Sequence, residues 1–176
     1  MKKVAVFGNA GGGKSTLARQ LSELTGVPLY ALDKIEYQPG GIKNPYEEYL
    51  AVHTDLLKKD EWIIDGFGSV ESAWERFSNA DTLVFIDLPL VVHYWRVIKR
   101  LLQGMYKNPE GWPEYSSIWK GSLNSFRVLP LCHRRLTPKY RQLVKESAST
   151  KRVRHLRSLK DIDNFLRDVR QNYKCE

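Results

Sequence analysis

The chain has 176 residues, of which 42% are hydrophobic and 27% charged, and its formal net charge is +8. This length favours one domain with a buried core, and these fractions are ordinary for a water-soluble globular protein. They exclude a membrane-spanning protein, because no apolar run is long enough to cross a bilayer, and Cys132 and Cys175 are too few for a four-ligand zinc site. We expect both cysteines to be reduced thiols, in a cytoplasmic protein that begins at its natural N-terminus.

The positive charge is concentrated in one part of the chain. Residues 95–157 contain 15 Lys and Arg but only three Asp and Glu, whereas acidic residues outnumber basic ones elsewhere. Such a segment suits an anionic partner, which could be nucleotide phosphates or a nucleic acid backbone. The charge alone does not choose between them.

The first predicted elements flank a glycine-rich loop. Residues 2–7, "KKVAVF", are a β-branched run typical of a buried parallel strand, and residues 14–26 have leucines at helical spacing before a stop at Gly26. Between these elements, "GNAGGGKS" (8–15) fits G-x-x-x-x-G-K-[ST] at every fixed position. The sequence therefore predicts a P-loop between a strand and a helix.

Each part of this loop has a chemical purpose. Glycines let successive N–H groups turn towards phosphate oxygens, and the helix start adds the positive end of its dipole. Lys14 is expected to reach the β and γ phosphates of ATP, and Ser15 to bind Mg²⁺. The predicted nucleotide-binding residues are Gly8, Gly11, Gly12, Gly13, Lys14, Ser15 and Thr16.

The next elements are predicted to form the acceptor side. A second strand at 27–32 leads to Asp33 at the carboxyl edge of the sheet, where ligands bind in open α/β folds. A loop at 37–45 and a helix at 45–60 follow, and the third strand is predicted at 61–66.

The remaining elements continue the alternation of strands and helices. They are a helix at 69–80, a strand at 81–89, a helix at 89–103, helices at about 117–129 and 137–147, a strand at 151–158 and a helix at 158–172. On the helix at 89–103 we predict an apolar stripe that consists of Val91, Tyr94, Trp95, Ile98 and Leu101 or Leu102. Residues 104–116 are predicted to form a loop or lid, within a lid region that reaches about residue 140. This order predicts one α/β domain, a three-layer P-loop NTPase fold whose five-stranded parallel sheet has helices on both faces.

The GTPase base-reading pattern N-K-x-D is absent, and the size favours a small kinase. Beyond the P-loop, the stretches "YALD", "WIIDG", "RFSNAD" and the helix after "DLP" resemble the adenylate kinase family over nearly the whole chain. The nearest resemblance is to its bacterial subgroup labelled DNA topology modulation proteins. It implies a single kinase domain over residues 1–176 that uses ATP and Mg²⁺, with Asp65 holding the metal through water.

The resemblance also assigns roles to arginines. The family places two arginines nine and thirteen residues beyond the aspartate of its fourth strand, which are Arg96 and Arg100 when counted from Asp87. Arg96 would pack beside the adenine, and Arg100 would clamp phosphate. In such kinases lid arginines close over the transferred phosphate, and the candidates here are Arg134, Arg135 and Arg141, with the catalytic role assigned to Arg134 or Arg135. Arg157 lies where the family contacts adenine, through its backbone.

The acceptor side departs from the family. Residues 34–60 contain no arginine, and the family's proline–arginine pair after Asp65-Gly66-Phe67 is replaced by Gly68 and Ser69. Arg76 could supply a cation to an acceptor phosphate instead, and Asp33 could accept a hydrogen bond or proton from an acceptor, as in sister kinases. This departure suggests an acceptor other than AMP, either a different monophosphate or a hydroxyl compound.

Three functions are compatible with these patterns. The first is an ATP-dependent and Mg²⁺-dependent phosphotransferase that acts on a small acceptor. The second is a nucleic-acid-binding regulator with an ATP switch, for which the 95–157 segment has interleaved aromatic residues but no established nucleic-acid-binding signature. The third is a P-loop ATPase without an acceptor.

Overall fold

The computed structural model describes residues 1–103 and 118–173, without the side chains of residues 100, 103 and 118–124. The predicted lid at 104–116 and Cys175 lie outside the described residues. Cys132 is a free, half-buried cysteine.

The described residues form five strands and the helices that connect them. The strands are β1 (Lys3–Gly8), β2 (Leu29–Ala31), β3 (Trp62–Asp65), β4 (Thr82–Ile86) and β5 (Arg152–Leu156). The helices are α1 (Lys14–Thr25), α2 (Leu32–Glu36), α3 (Tyr46–Lys58), α4 (Val70–Asn79), α5 (Leu90–Gln103), α6 (Ile118–Arg135), α7 (Thr137–Ser147) and α8 (Leu159–Tyr173).

All five strands are parallel, in the order β2-β3-β1-β4-β5. The chain crosses from one side of β1 to the other between β3 and β4, so β1 lies at the centre of the sheet. Gly8 pairs with Ile86 at the carboxyl end of β4, and Ala31 pairs with Asp65 at the carboxyl end of β3. The loops that follow these strands therefore meet along one edge of the sheet, as ligand sites of this class require.

Two hydrophobic cores cover the two faces of the sheet. One contains Phe7, Trp62 and Phe85 from the strands, packed against α3, α4 and α7. The other contains Val4, Val6 and Ile63, packed against α1 and α8. The predicted three-layer arrangement is therefore confirmed.

Two local predictions were wrong. Residue 32 already belongs to a short helix, so Asp33 lies in the first turn of α2 rather than at a strand end. The predicted stripe of α5 is also not its buried face: Val91 is 73% exposed and Trp95 66%, whereas His93 and Val97 are buried. The polar and mixed face of α5 packs inward because it contacts the loop after β1.

Candidate functional site

The P-loop connects β1 to α1 at the centre of the carboxyl edge. A side chain at Gly8 would collide with the carbonyl of Ile86, because β1 and β4 run close together there. Gly11 and Gly13 have φ values of 69° and 85°, a backbone region that glycine enters at little cost. The loop is thus an arrangement that only this glycine pattern allows.

Helix α5 supports the loop from one side. The Nδ1–H of His93 donates to the carbonyl of Ala10 at 2.8 Å, and Nη1 of Arg96 donates to the carbonyl of Gly12 at 2.6 Å. Burial lowers the pKa of the His93 imidazole and also that of the Arg96 guanidinium. These two bonds tie the carbonyls of Ala10 and Gly12 to α5 and so help to fix the shape of the loop.

Arg96 therefore makes a contact that the sequence did not predict. Its guanidinium lies over Gly13, where an added Cβ would collide with Nη1. The predicted role beside adenine stays a prediction, and in this structure the side chain braces the loop.

Helix α6 supports the loop from another side. The buried Asn9 side chain donates from Nδ2 to the carbonyl of Leu129 at 3.1 Å, and its Oδ1 accepts from the N–H of Ala10 at 2.9 Å. Lys14 donates from Nζ to the carbonyl of Asn9 at 3.1 Å. Sequence reasoning missed Asn9, because it occupies a position that the motif leaves free.

Two carboxylates lie on the opposite side of the loop from β4. Asp65 ends β3 and is 4% exposed, and its Oδ1 has no hydrogen-bond partner among the described residues. Asp33 approaches the next residue, since its Oδ1 is 3.5 Å from the position that a Cβ on Gly66 would take. Asp33 therefore lies beside the turn that follows Asp65, at the carboxyl edge where the sequence predicts it.

These residues fit a magnesium ion by their chemistry. Mg²⁺ prefers oxygen ligands and is usually bound by one or two carboxylates together with phosphates and water. Ser15 follows Lys14 in the first turn of α1, and the unpartnered Oδ1 of Asp65 is a buried acceptor that needs a cation or a donor. In the described part of the chain no group of three or more His, Cys, Asp or Glu side chains could hold a metal.

Arg76 lies beneath the turn that follows Asp65. The side chain is 0% exposed, and Nη2 donates to the carbonyls of Gly66 at 3.0 Å and Phe67 at 3.4 Å. The sequence offered Arg76 as a cation that could reach an acceptor phosphate; in this structure its guanidinium faces the protein interior.

Asp87 anchors the elements on the far side of β4. Arg141 donates to both of its carboxylate oxygens, at 2.8 and 3.0 Å, and His155 lies 2.8 Å from Oδ2. Burial alone would raise the pKa of Asp87, but the bonds from Arg141 and His155 outweigh it and hold that pKa below its usual value. Arg141 is thus tied to β4, whereas the sequence listed it among the lid candidates.

The remaining predicted arginines lie on α5, at the end of α6 and after β5. Arg134 and Arg135 are exposed at the end of α6, and Arg157 is exposed after β5 with its N–H bonded to Asp161. Arg100 belongs to α5, but its side chain lies outside the described ones.

Solved structures with a similar fold include two shikimate kinases. The enzyme from Acinetobacter baumannii, solved in complex with shikimate, has a TM-score of 0.62 at 14% identity, over 99% of this chain and 94% of that one. The enzyme from Aquifex aeolicus has a TM-score of 0.51 at 18% identity, over 98% of this chain and 96% of that one.

The similarity to these structures shows the three-layer P-loop NTPase fold. A sugar kinase from Janibacter sp. is also similar, with a TM-score of 0.46 at 13% identity, over 98% of this chain and 91% of that one. No protein-family model matches the sequence, and no curated protein is significantly similar to it. None of the described helices is both long and apolar enough to span a membrane.

Proposed function

We propose that this protein is a kinase that transfers the γ-phosphate of ATP to a small acceptor in the presence of Mg²⁺. The observation that carries the proposal is the meeting of the P-loop with Asp65 and Asp33 along one edge of the sheet. A loop that binds phosphates and two carboxylates on one side of it are what phosphoryl transfer to a hydroxyl requires.

The P-loop would hold the triphosphate. Its inward N–H groups and the ammonium of Lys14 would bind the β and γ phosphates, since Lys14 needs only to leave the carbonyl of Asn9 to reach them. His93 and Arg96 would keep the loop carbonyls turned away from the phosphates. Arg96 and the backbone at Arg157 remain our candidates beside the adenine.

Ser15 and Asp65 would hold Mg²⁺, which would neutralise phosphate charge when bound. Further negative charge on the transferred group would be balanced by Arg100 and by Arg134 or Arg135. These three arginines are proposed from the family pattern and from the basic end of α6.

Asp33 is the candidate that receives the acceptor proton. It lies in the first turn of α2, partly exposed and close to Gly66, so an acceptor bound over this turn would be within its reach. We favour a hydroxyl compound as the acceptor, because the similar shikimate kinase was solved with shikimate and residues 34–60 offer no arginine for a second phosphate. A nucleoside monophosphate remains the other class to test.

The test is the formation of ADP from ATP and Mg²⁺, with AMP, other monophosphates and small alcohols as acceptors. The proposal would be supported if one compound stimulates ADP formation, if this stimulation is lost in the Lys14→Ala variant, and if it is kept in a Lys160→Ala control. Lys160 is an exposed residue of α8. Unchanged turnover in Lys14→Ala would refute it. Hydrolysis that no added compound stimulates would instead indicate an ATPase without an acceptor.

A nucleic-acid-binding regulator is the second candidate. Within residues 88–103 and 118–145 there is no Asp or Glu. Lys99 and Trp95 are exposed on α5, Arg127 is exposed on α6, and Lys139 is exposed on α7. Binding through phosphates should weaken steeply with salt. Absence of DNA or RNA binding even at low salt would eliminate this candidate.

A further inference from the structure

The guanidinium of Arg76 is buried without a carboxylate partner. None of the described Asp and Glu side chains is paired with it, and Nε and Nη1 have no hydrogen-bond partner among the described residues. Burial lowers the pKa of Arg76 to about 10, against the opposing effects of Tyr49, Tyr140 and the Asp65 carboxylate, so the side chain remains cationic at neutral pH. This is an expensive residue for the interior of a protein, because a buried cation loses its hydration.

Packing alone does not explain the presence of an arginine at this position. The guanidinium lies over the ring of Phe77 in a core that also contains Tyr140. A methionine or leucine of similar volume would fill this space without the desolvation cost. The charged group is therefore best explained by what it binds.

What it binds is the turn between β3 and α4. A single nitrogen, Nη2, donates to two successive carbonyls, those of Gly66 and Phe67. Both glycines of this turn have positive φ values, 112° at Gly66 and 67° at Gly68, so neither would hold this shape through side-chain sterics of its own. Arg76 thus supplies order that the glycines cannot.

Two neighbouring contacts complete the support of the turn. A side chain at Gly68 would collide with the hydroxyl of Tyr49, which is hydrogen-bonded to Ser72 at 2.8 Å. Ser69 caps α4 and exchanges hydrogen bonds with Ser72 in a capping box. The turn is therefore fixed from below by α3 and α4, and its only charged support is Arg76 among the described residues.

Asp65 ends β3, where it pairs with Val6 and Ala31, and it directly precedes this turn. Its unpartnered Oδ1 is the atom that we assign to the metal site. We propose that Arg76 is a positioning residue that fixes the Gly66–Phe67 turn so that Asp65 faces the nucleotide-bound metal. Arg76 acts through the turn and does not touch the acceptor. This inference rests on the proposed function in one respect, which is that Asp65 binds Mg²⁺.

The test compares ATP binding with and without Mg²⁺ by calorimetry, so that it needs no acceptor and no turnover. We expect Arg76→Met to bind metal-free ATP as the unmodified protein does, because the P-loop is supported by α5 and α6 instead. The gain in ATP affinity that Mg²⁺ produces should fall about tenfold, which is typical when support of a metal ligand is removed.

Arg76→Lys is the conservative variant, since an ammonium can still donate to a turn carbonyl. It should recover part of the Mg²⁺ effect, and Arg170→Met, on the exposed side of α8, should leave the effect unchanged. Equal losses of affinity for metal-free ATP and Mg·ATP would show a purely structural role, and an unchanged Mg²⁺ effect would also overturn the inference.

Turnover provides an independent discrimination. Once an acceptor is found, Arg76→Met should raise the Mg²⁺ concentration needed for half-maximal rate and leave the KM for the acceptor unchanged. A raised acceptor KM with unchanged Mg²⁺ dependence would place Arg76 on the acceptor and refute the positioning role. If no compound is phosphorylated, the proposed function fails, but the binding comparison still decides the role of Arg76.

Discussion

Acidification should destabilise this protein through its buried histidines, and most clearly through His53 on α3. Its side chain is 0% exposed, neither ring nitrogen has a hydrogen-bond partner in the described structure, and Glu75 is too far from Nδ1, at 3.7 Å, for a hydrogen bond. Burial, together with the nearby charge of Arg76, lowers the pKa of His53 from 6.5 to about 4. The folded protein therefore keeps this imidazole neutral where the unfolded chain protonates it.

The sign and the size follow from this difference in proton binding. Between about pH 6.5 and 4 the unfolded chain binds more protons, so the free energy of unfolding falls as the pH falls. At pH 5 the loss from His53 alone is about 2 kcal/mol relative to neutral pH, since one pKa unit corresponds to about 1.4 kcal/mol. For a domain of this size that is a decrease in Tm of about 4–8 °C.

The assay is urea unfolding at pH 7.5 and at pH 5, followed by circular dichroism. His53→Leu should remove about 2 kcal/mol of the loss between the two pH values, while His133→Gln, at a less buried histidine, should keep the loss. His93, whose pKa is also lowered by burial, contributes to the loss that remains. The chosen range stays above the region where Asp81 and Asp87, whose pKa values are lowered in the folded protein, release their own stabilisation. Equal pH dependence in His53→Leu and in the unmodified protein would refute the reasoning.

Two further predictions concern the loop and Asp87. Gly13→Ala should weaken ATP binding about tenfold in calorimetry, which corresponds to about 1.4 kcal/mol, because the new Cβ meets the Arg96 guanidinium. Gly26 has a similar positive φ but open space around it, so the control Gly26→Ala should leave ATP binding unchanged. Equal weakening in both variants would contradict this explanation. Arg141→Leu should lower the free energy of unfolding, measured in urea, by about 1 kcal/mol, because it leaves the buried Asp87 carboxylate with His155 as its remaining partner among the described side chains. The control is Lys145→Gln, at an exposed lysine of α7, and an equal loss in both variants would contradict this prediction.

Sequence reasoning succeeded where the signal is local. The P-loop is contiguous, and its glycines, Lys14 and the flanking strand and helix fix one another within a short stretch. Asp65 was placed correctly because a buried apolar run ends at this residue, and parallel strands bring their carboxyl ends together.

It failed where the deciding contact is distant in the chain. Helical periodicity located an apolar stripe on α5, but it could not tell that His93 would turn inward to reach Ala10. It gave no sign that Arg76 faces the interior, because an arginine on a short amphipathic helix ordinarily faces solvent. The hydrogen bond from Asn9 to Leu129 had no counterpart in any motif.

These supports of the loop also set the order in which the site is completed. Asn9 is separated from Leu129 by 120 positions, and Ala10 and Gly12 are 83 and 84 positions from the side chains that hold them. During synthesis the phosphate-binding motif therefore leaves the ribosome long before the helices that brace it. An early nascent chain carries the complete motif without its supports, and the nucleotide pocket matures only when the last third of the protein has been made.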